Sequence, residues 1–282
     1  MKKFTAISLA VLLAVLLFAG CGKDPVVETE PLSGTVATGG STSVATVMKA
    51  LIFQFQDDNR DVTINYEQNG SGDGIKNTIS GLYEIGHSSR ELKTDGSEDG
   101  LKAIAYAIDG IAIVVHPSNG VTNLTKAQVK DIYTGVITNW KEVGGADALI
   151  TVVIRESGSG TRSAFAEIIG LEKSGDDSTN IVAGANEATS TGAVQTQVSQ
   201  NANAIGYMSY SDVGNSVKTL SYEGVAISTA TLKDSSYKLK REFYLVVKEG
   251  ATLSPAAQAF IDFVLSEEGQ AIVADNKLLP IK

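Results

Sequence analysis

Apolar and polar positions along the chain alternate between two periods, and the switches between them mark the elements. After Gly40 the apolar residues are Val44, Val47, Met48, Leu51, Ile52 and Phe55. Spacings of three and four predict an amphipathic helix with one buried face. The run 62–66 alternates β-branched and polar residues and predicts a strand, followed by a turn over 69–74. Ile75, Ile79 and Leu82 then return to helical spacing. An apolar strand is expected over 111–116, stopped by Pro117, and a helix over 124–133 with Thr125 as N-cap. The β-branched run 149–155 predicts another strand, and Phe165, Ile168 and Ile169 mark the buried face of the next helix. Strands are expected at 205–209 and 243–247, and one late helix over 256–273. Short apolar runs alternating with helical patterns predict βα units with largely parallel sheets.

Three Gly/Ser/Thr runs sit where these helices begin. They are Gly40-Ser41-Thr42-Ser43, Gly70-Ser71-Gly72-Asp73-Gly74 and Ser157-Gly158-Ser159-Gly160-Thr161. The second and third follow strand candidates, and the first follows a weaker one at 34–37. A helix N-terminus presents unpaired N–H groups and the positive end of the macrodipole. Glycine allows close backbone approach, and hydroxyls add neutral donors. Three such termini meeting at one point would cage a small, multiply charged oxyanion. Arg155, at the end of the strand before the third run, is either a bidentate partner for that anion or a surface residue paired with Glu156. Arg162, in the first helical turn, opposes the dipole and is expected in solvent.

Composition narrows the field. The chain has 282 residues, a formal net charge of -9 and 43% hydrophobic residues. It is long enough for one large domain or two modest ones, and too acidic to favour nucleic acid or anionic lipid. The third run lacks the Lys-Ser/Thr of a P-loop, and Ser157 stands where a nucleophile elbow needs glycine. His87 and His116 are the only histidines and form no metal pattern; both read as structural. No acid/base pair stands out. No catalytic residue, metal or cofactor is expected, and the chain reads as a binding protein rather than an enzyme.

Lys2 and Lys3 precede an apolar run over 4–19, and Gly20-Cys21 follows. This is a signal-peptide pattern, too short to span a membrane comfortably. Phe18-Ala19-Gly20-Cys21 resembles a bacterial lipobox. That resemblance implies cleavage of residues 1–20 and lipidation of Cys21, the only cysteine. Residues 21–33 then read as the lipidated Cys and its tether. The expected location is the extracytoplasmic face of the bacterial cell membrane.

The third run continues as Arg162-Ser163-Ala164-Phe165, and here the chain resembles the periplasmic-type phosphate-binding proteins of Pst ABC transporters. The likeness extends to Ile85-Gly86-His87-Ser88-Ser89-Arg90-Glu91-Leu92, Ile137-Thr138-Asn139-Trp140-Lys141, Ala204-Ile205-Gly206-Tyr207 and Ser266-Glu267-Glu268-Gly269-Gln270. It implies a two-lobed α/β fold of the type II periplasmic-binding-protein class, each lobe a mixed sheet flanked by helices, joined by crossing hinge strands. One lobe would be 34–109 plus 241–282 and the other 110–240. The implied phosphate ligands are Thr42, Ser43, Ser71, Arg155, Ser159, Gly160 and Thr161. Ser89 occupies the place where well-known members carry an Asp that accepts the proton of hydrogenphosphate. A neutral Ser89 implies weaker discrimination against sulfate, unless Glu156 or Asp73 supplies a carboxylate. The implied partners are inorganic phosphate, the membrane permease subunits of an ABC transporter, and the membrane itself through a lipid anchor; the state is monomeric. The alternatives are a receptor for another oxyanion such as sulfate, a phosphate-handling hydrolase, and a surface sensor on the same fold.

Overall fold

The structure is a computed structural model that describes residues 31–173 and 176–281. The signal peptide, Cys21 and nearly all of the tether lie outside the described residues. Eight principal strands carry the fold: β1 (Gly34–Gly40), β2 (Val62–Gln68), β3 (Ile85–Ser88), β4 (Leu101–Val115), β5 (Thr151–Arg155), β6 (Asn186–Ala188), β7 (Ala204–Ser209) and β8 (Lys240–Lys248). They form one continuous sheet in the order β2-β1-β3-β8-β4-β7-β5-β6, and Lys218–Thr219 and Leu279–Pro280 add to β4. Among the described residues eight α-helices flank it: α1 (Ala45–Asp58), α2 (Ser71–Ser80), α3 (Lys126–Thr134), α4 (Gly160–Ile169), α5 (Thr191–Ser199), α6 (Thr229–Lys233), α7 (Pro255–Val264) and α8 (Glu267–Asp275).

The expectation of largely parallel sheets holds only at the two ends. β1 pairs in parallel with β2 and β3, and β5 with β6 and β7. The centre is antiparallel, where β8 pairs with β3 and β4, and β4 with β7. The reason lies in β4 and β8, two long strands that run side by side from one hydrophobic core to the other. Tyr106 and Ala107 of β4 belong to the core that also holds Val36, Leu51, Phe243 and Phe260. Four residues on, Ile111 to Val115 belong to the core of Phe165, Tyr207, Trp140 and Leu239.

Local chemistry explains the elements. All six apolar positions read from the α1 pattern are buried. Each such side chain contributes about 1.5–3 kcal/mol of transfer free energy. Phe55 closes that face with an edge-on contact to Phe260 of α7, ring centroids 5.2 Å apart. Thr125 caps α3 through a reciprocal capping box with Gln128, as its position predicts. Three details differ from the pattern. α2 stops at Ser80, before Leu82, and both Ile79 and Leu82 are exposed. Leu149 is exposed, and its strand begins at Thr151. The late helix is two helices, because Ser266 caps α8 by accepting the N–H of Gly269.

Candidate oxyanion site

The carboxyl ends of β1, β2 and β3 lie on one edge of the sheet because the strands are parallel and adjacent. β1 delivers Ser41, Thr42 and Ser43, β2 delivers Ser71, and β3 delivers Ser89. The backbone ties these turns together. Gly40 O accepts the N–H groups of Asn69 and Gly70 at 3.1 and 2.9 Å, and His87 O accepts that of Ser41 at 2.9 Å. Gly40 has φ 143°, and a Cβ there would lie 2.2 Å from His87 O, so only glycine fits. From the other core, β5 delivers Arg155 and the turn to α4, and β6 delivers the turn to α5. Ser159 caps α4 by accepting the N–H of Arg162, and Ser190 caps α5 by accepting that of Ala193.

These groups meet in one buried polar cluster. Ser43 Oγ lies 2.6 Å from Thr161 Oγ1 and 2.9 Å from Thr191 Oγ1. Ser41 Oγ donates to Ser89 Oγ at 2.8 Å, and Ser89 N–H donates to Ser71 Oγ at 3.1 Å. Gly160 stands against Ser71 and Ser89: a Cβ there would sit 2.3 and 2.7 Å from their hydroxyl oxygens. On the rim, Gly72 N–H donates to Gly158 O at 3.0 Å. A cavity of 770 Å³ lies against Gly72, Ser157 and Gly158.

Arg155 is only 1% exposed, so it is not a surface residue, yet it does pair with Glu156. Its Nε and Nη2 donate to the two Glu156 carboxylate oxygens at 2.8 and 2.7 Å. Nη2 also donates to Thr42 Oγ1 at 3.0 Å, and Nη1 to Thr191 Oγ1 at 3.2 Å. Glu156 therefore fixes the guanidinium plane and neutralises its charge locally, while the free edge faces the hydroxyls. The helix termini and that edge are the positive groups directed at the cluster. The strand behind is held by Tyr207, whose hydroxyl accepts the Arg155 N–H at 3.2 Å and is pushed up to about 12 by burial.

The structure thus brings together Thr42, Ser43, Ser71, Ser89, Arg155 and Thr161 with the N-termini at Ser159 and Gly160. Asp73 is exposed in the first turn of α2 and contributes nothing to the cluster. Arg162 is not in open solvent: it is largely covered, and its Nη1 donates to Arg155 O at 2.8 Å. His87 is a buried strand residue, held neutral by burial that pushes it down to about 3, with Nε2 2.6 Å from Thr38 Oγ1. Among the described residues no group of His, Cys, Asp and Glu is arranged to hold a metal ion.

Two residues escape the sequence reading. Ser41 lies inside the first run but acts through Ser89. Thr191 opens α5 and touches Thr42, Ser43 and Arg155. Its signal was a fourth run, Thr189-Ser190-Thr191-Gly192, hidden because the preceding strand has only three residues, Asn186–Ala188.

Known proteins resemble this chain along most of its length. A family model for the PBP superfamily domain matches residues 25–268. The phosphate-binding protein PstS of Borreliella burgdorferi is 30% identical over 88% of this chain and 90% of its own length. PstS of Bacillus subtilis is 30% identical over 100% of this chain and 95% of its own. A crystal structure of a phosphate ABC transporter substrate-binding protein with bound phosphate, from Clostridium perfringens, is 45% identical with a TM-score of 0.84, covering 88% of this chain and 100% of that one. An ABC-type phosphate transport receptor from Vibrio cholerae is 32% identical with a TM-score of 0.73, over 88% and 100%. With this fold, this cluster of helix termini and these relatives along nearly its whole length, the chain belongs to the PBP superfamily and, within it, to the PstS phosphate-binding proteins.

Proposed function

We propose that the chain captures inorganic phosphate between two lobes and delivers it to the permease of an ABC transporter. The observation that carries this reading is the meeting of Arg155 with hydroxyls from four helix-opening turns in one buried cluster. Helix N-termini favour a compact anion, and the guanidinium edge adds charge-assisted donors. The named relatives are phosphate-binding proteins and phosphate transport receptors, and no catalytic step is part of the reading. The ligands are Thr42, Ser43, Ser71, Ser89, Arg155, Ser159, Gly160 and Thr161.

The lobes are 34–109 plus 241–282 and 110–240. Support comes from the two cores, which divide between Ala107 and Ile111 on β4 and between Leu239 and Phe243 at β8. Ligand release is hinge opening about these strands, which separates Thr42 and Ser43 from Thr161 and Thr191. The chain is extracytoplasmic and held to the membrane by a lipid on Cys21, the anchor resting on the lipobox pattern alone. No helix among the described residues is long and apolar enough to cross a membrane.

The test is calorimetry on the full-length chain, unfolded and refolded to remove bound anion. One phosphate per chain is expected, and no heat of binding would overturn the reading. Mass spectrometry of the protein from a bacterial membrane tests the anchor; an uncleaved, unmodified N-terminus would overturn it.

A further inference from the structure

The chain leading into α1 meets the 110–240 lobe at two separate places. One is the hydroxyl cluster, where Thr42 and Ser43 reach Thr191 and Thr161. The other lies outside it. Thr46 stands three and four residues on from Ser43 and Thr42, a spacing that returns it to the same helical face. Its hydroxyl donates to Asp212 Oδ1 at 2.6 Å, across 166 residues of chain.

Asp212 ends a short 3-10 turn, Tyr210–Asp212, that follows β7 directly. The root of the turn is fixed, because Ser209 Oγ donates to Asp109 Oδ1 of β4 at 2.8 Å. A second segment of the other lobe holds its far side. Lys277, just past α8, donates from Nζ to Val213 O at 3.3 Å and stands 5.9 Å from the Tyr210 ring centroid. One turn of the 110–240 lobe is therefore gripped by two elements of the other, and none of these contacts uses a group assigned to phosphate.

We propose that the Thr46–Asp212 hydrogen bond is a latch between the lobes, which holds the α1 terminus against the α4 and α5 termini and so sets how long phosphate stays bound. This rests on the two-lobe phosphate reading proposed above. Thr46 and Asp212 are positioning residues: they fix the helix that carries the donors and do not touch the ligand. Hinge opening about β4 and β8 breaks their bond together with the Ser43 contacts. A contact made only in the closed form adds its free energy to closure, and apparent affinity follows the closed population. It slows release and leaves capture by the open form unchanged. One hydrogen bond changes the closed-to-open ratio about 3- to 10-fold.

The experiment uses the refolded full-length chain and inorganic phosphate. Calorimetry near neutral pH gives the affinity, and release of radiolabelled phosphate into excess unlabelled phosphate gives the off-rate. Thr46→Val should weaken binding about 3- to 10-fold, with the off-rate rising by that factor and the on-rate within about twofold of wild type. In a chain that also carries Asp212→Ala, the same substitution should change affinity by less than about twofold. Asp212→Asn keeps the acceptor without a charge to bury, and should bind at least as tightly as wild type and more tightly than Asp212→Ala. An unchanged off-rate in folded Thr46→Val, a loss confined to the on-rate, or an equal loss with Asp212→Ala present would each overturn the latch and leave the phosphate reading standing. Failure of the wild-type chain to bind phosphate overturns the phosphate reading, and the latch with it.

Discussion

Arg241 faces Asp109 across β8 and β4, its Nη2 and Nε 2.9 and 3.1 Å from Asp109 Oδ2, at the place where both strands pass from one core to the other. Burial raises the Asp109 carboxyl above its ordinary range, opposed by Arg241 and by the Ser209 hydroxyl. Arg241 Nη1 also reaches Ser89 O at 3.4 Å, linking the crossing strands to the site. Removing one member leaves the other charge buried and unpaired, which costs about 3–5 kcal/mol. Asp109→Asn and Arg241→Met should each lower the unfolding free energy by about that amount in a urea titration. The pair Asp109→Leu with Arg241→Met should recover most of the loss.

Arg155→Lys keeps the charge and removes the planar fork. A lysine cannot hold Glu156 with two nitrogens while also presenting an edge to Thr42 and Thr191. Charge-assisted bonds contribute about 1.5–3 kcal/mol each, so phosphate affinity should fall roughly 10- to 100-fold by calorimetry. Unchanged affinity would place Arg155 outside the ligand shell.

Gly160→Ala tests the close approach of α4 to the hydroxyl cluster. Alanine is the better helix former by about 1 kcal/mol, but crowding the buried Ser71 costs about 1–3 kcal/mol, so the melting temperature should fall slightly. The new Cβ would press on Ser71 Oγ and Ser89 Oγ, and phosphate affinity should drop at least tenfold. A drop in melting temperature with intact affinity would contradict the placement of those hydroxyls in the site.

Asp212 makes a 2.6 Å hydrogen bond with Thr46 of α1, and burial pushes its carboxyl from 3.8 up to about 6. Asp109 also raises it, while Arg241 and Lys277 lower it; Tyr66, on β2, feels its charge in turn. A carboxyl raised on folding binds its proton more tightly in the native state. Its favourable contribution is complete below about 4 and is lost as pH rises to about 6. Asp212→Asn, which keeps an acceptor for Thr46, should be more stable than wild type above pH 6 and flatter between pH 4 and 6. Parallel urea titrations of both proteins over that range are the check.

Much of the fold was legible because its signals are local. The α1 stripe, the β5 run and the Thr125 cap follow from spacing and side-chain chemistry within a dozen residues. β4 was only half legible. Ile111 to Val115 is a continuous apolar run, but 101–110 is partly exposed and carries Asp109, so its extension through both cores did not register. The break at Ser266 was overlooked for a related reason. Apolar spacing continues across it, while the decisive event is a cap and a tight packing of Gly269, whose Cβ would lie 2.2 Å from Phe263 O.

For the site, the sequence by itself determined which backbone ends offer N–H groups and hydroxyls, because caps and glycines act on their own turn. It also placed Arg155 at a strand end beside Glu156. Only the tertiary structure decided that Ser43 meets Thr161 and Thr191 more than a hundred residues away. It alone decided that Arg155 serves both Glu156 and the hydroxyls. Those outcomes depend on which strands lie side by side and on which donors reach which oxygens. No local spacing encodes either, because both follow from how β4 and β8 bring the two cores together.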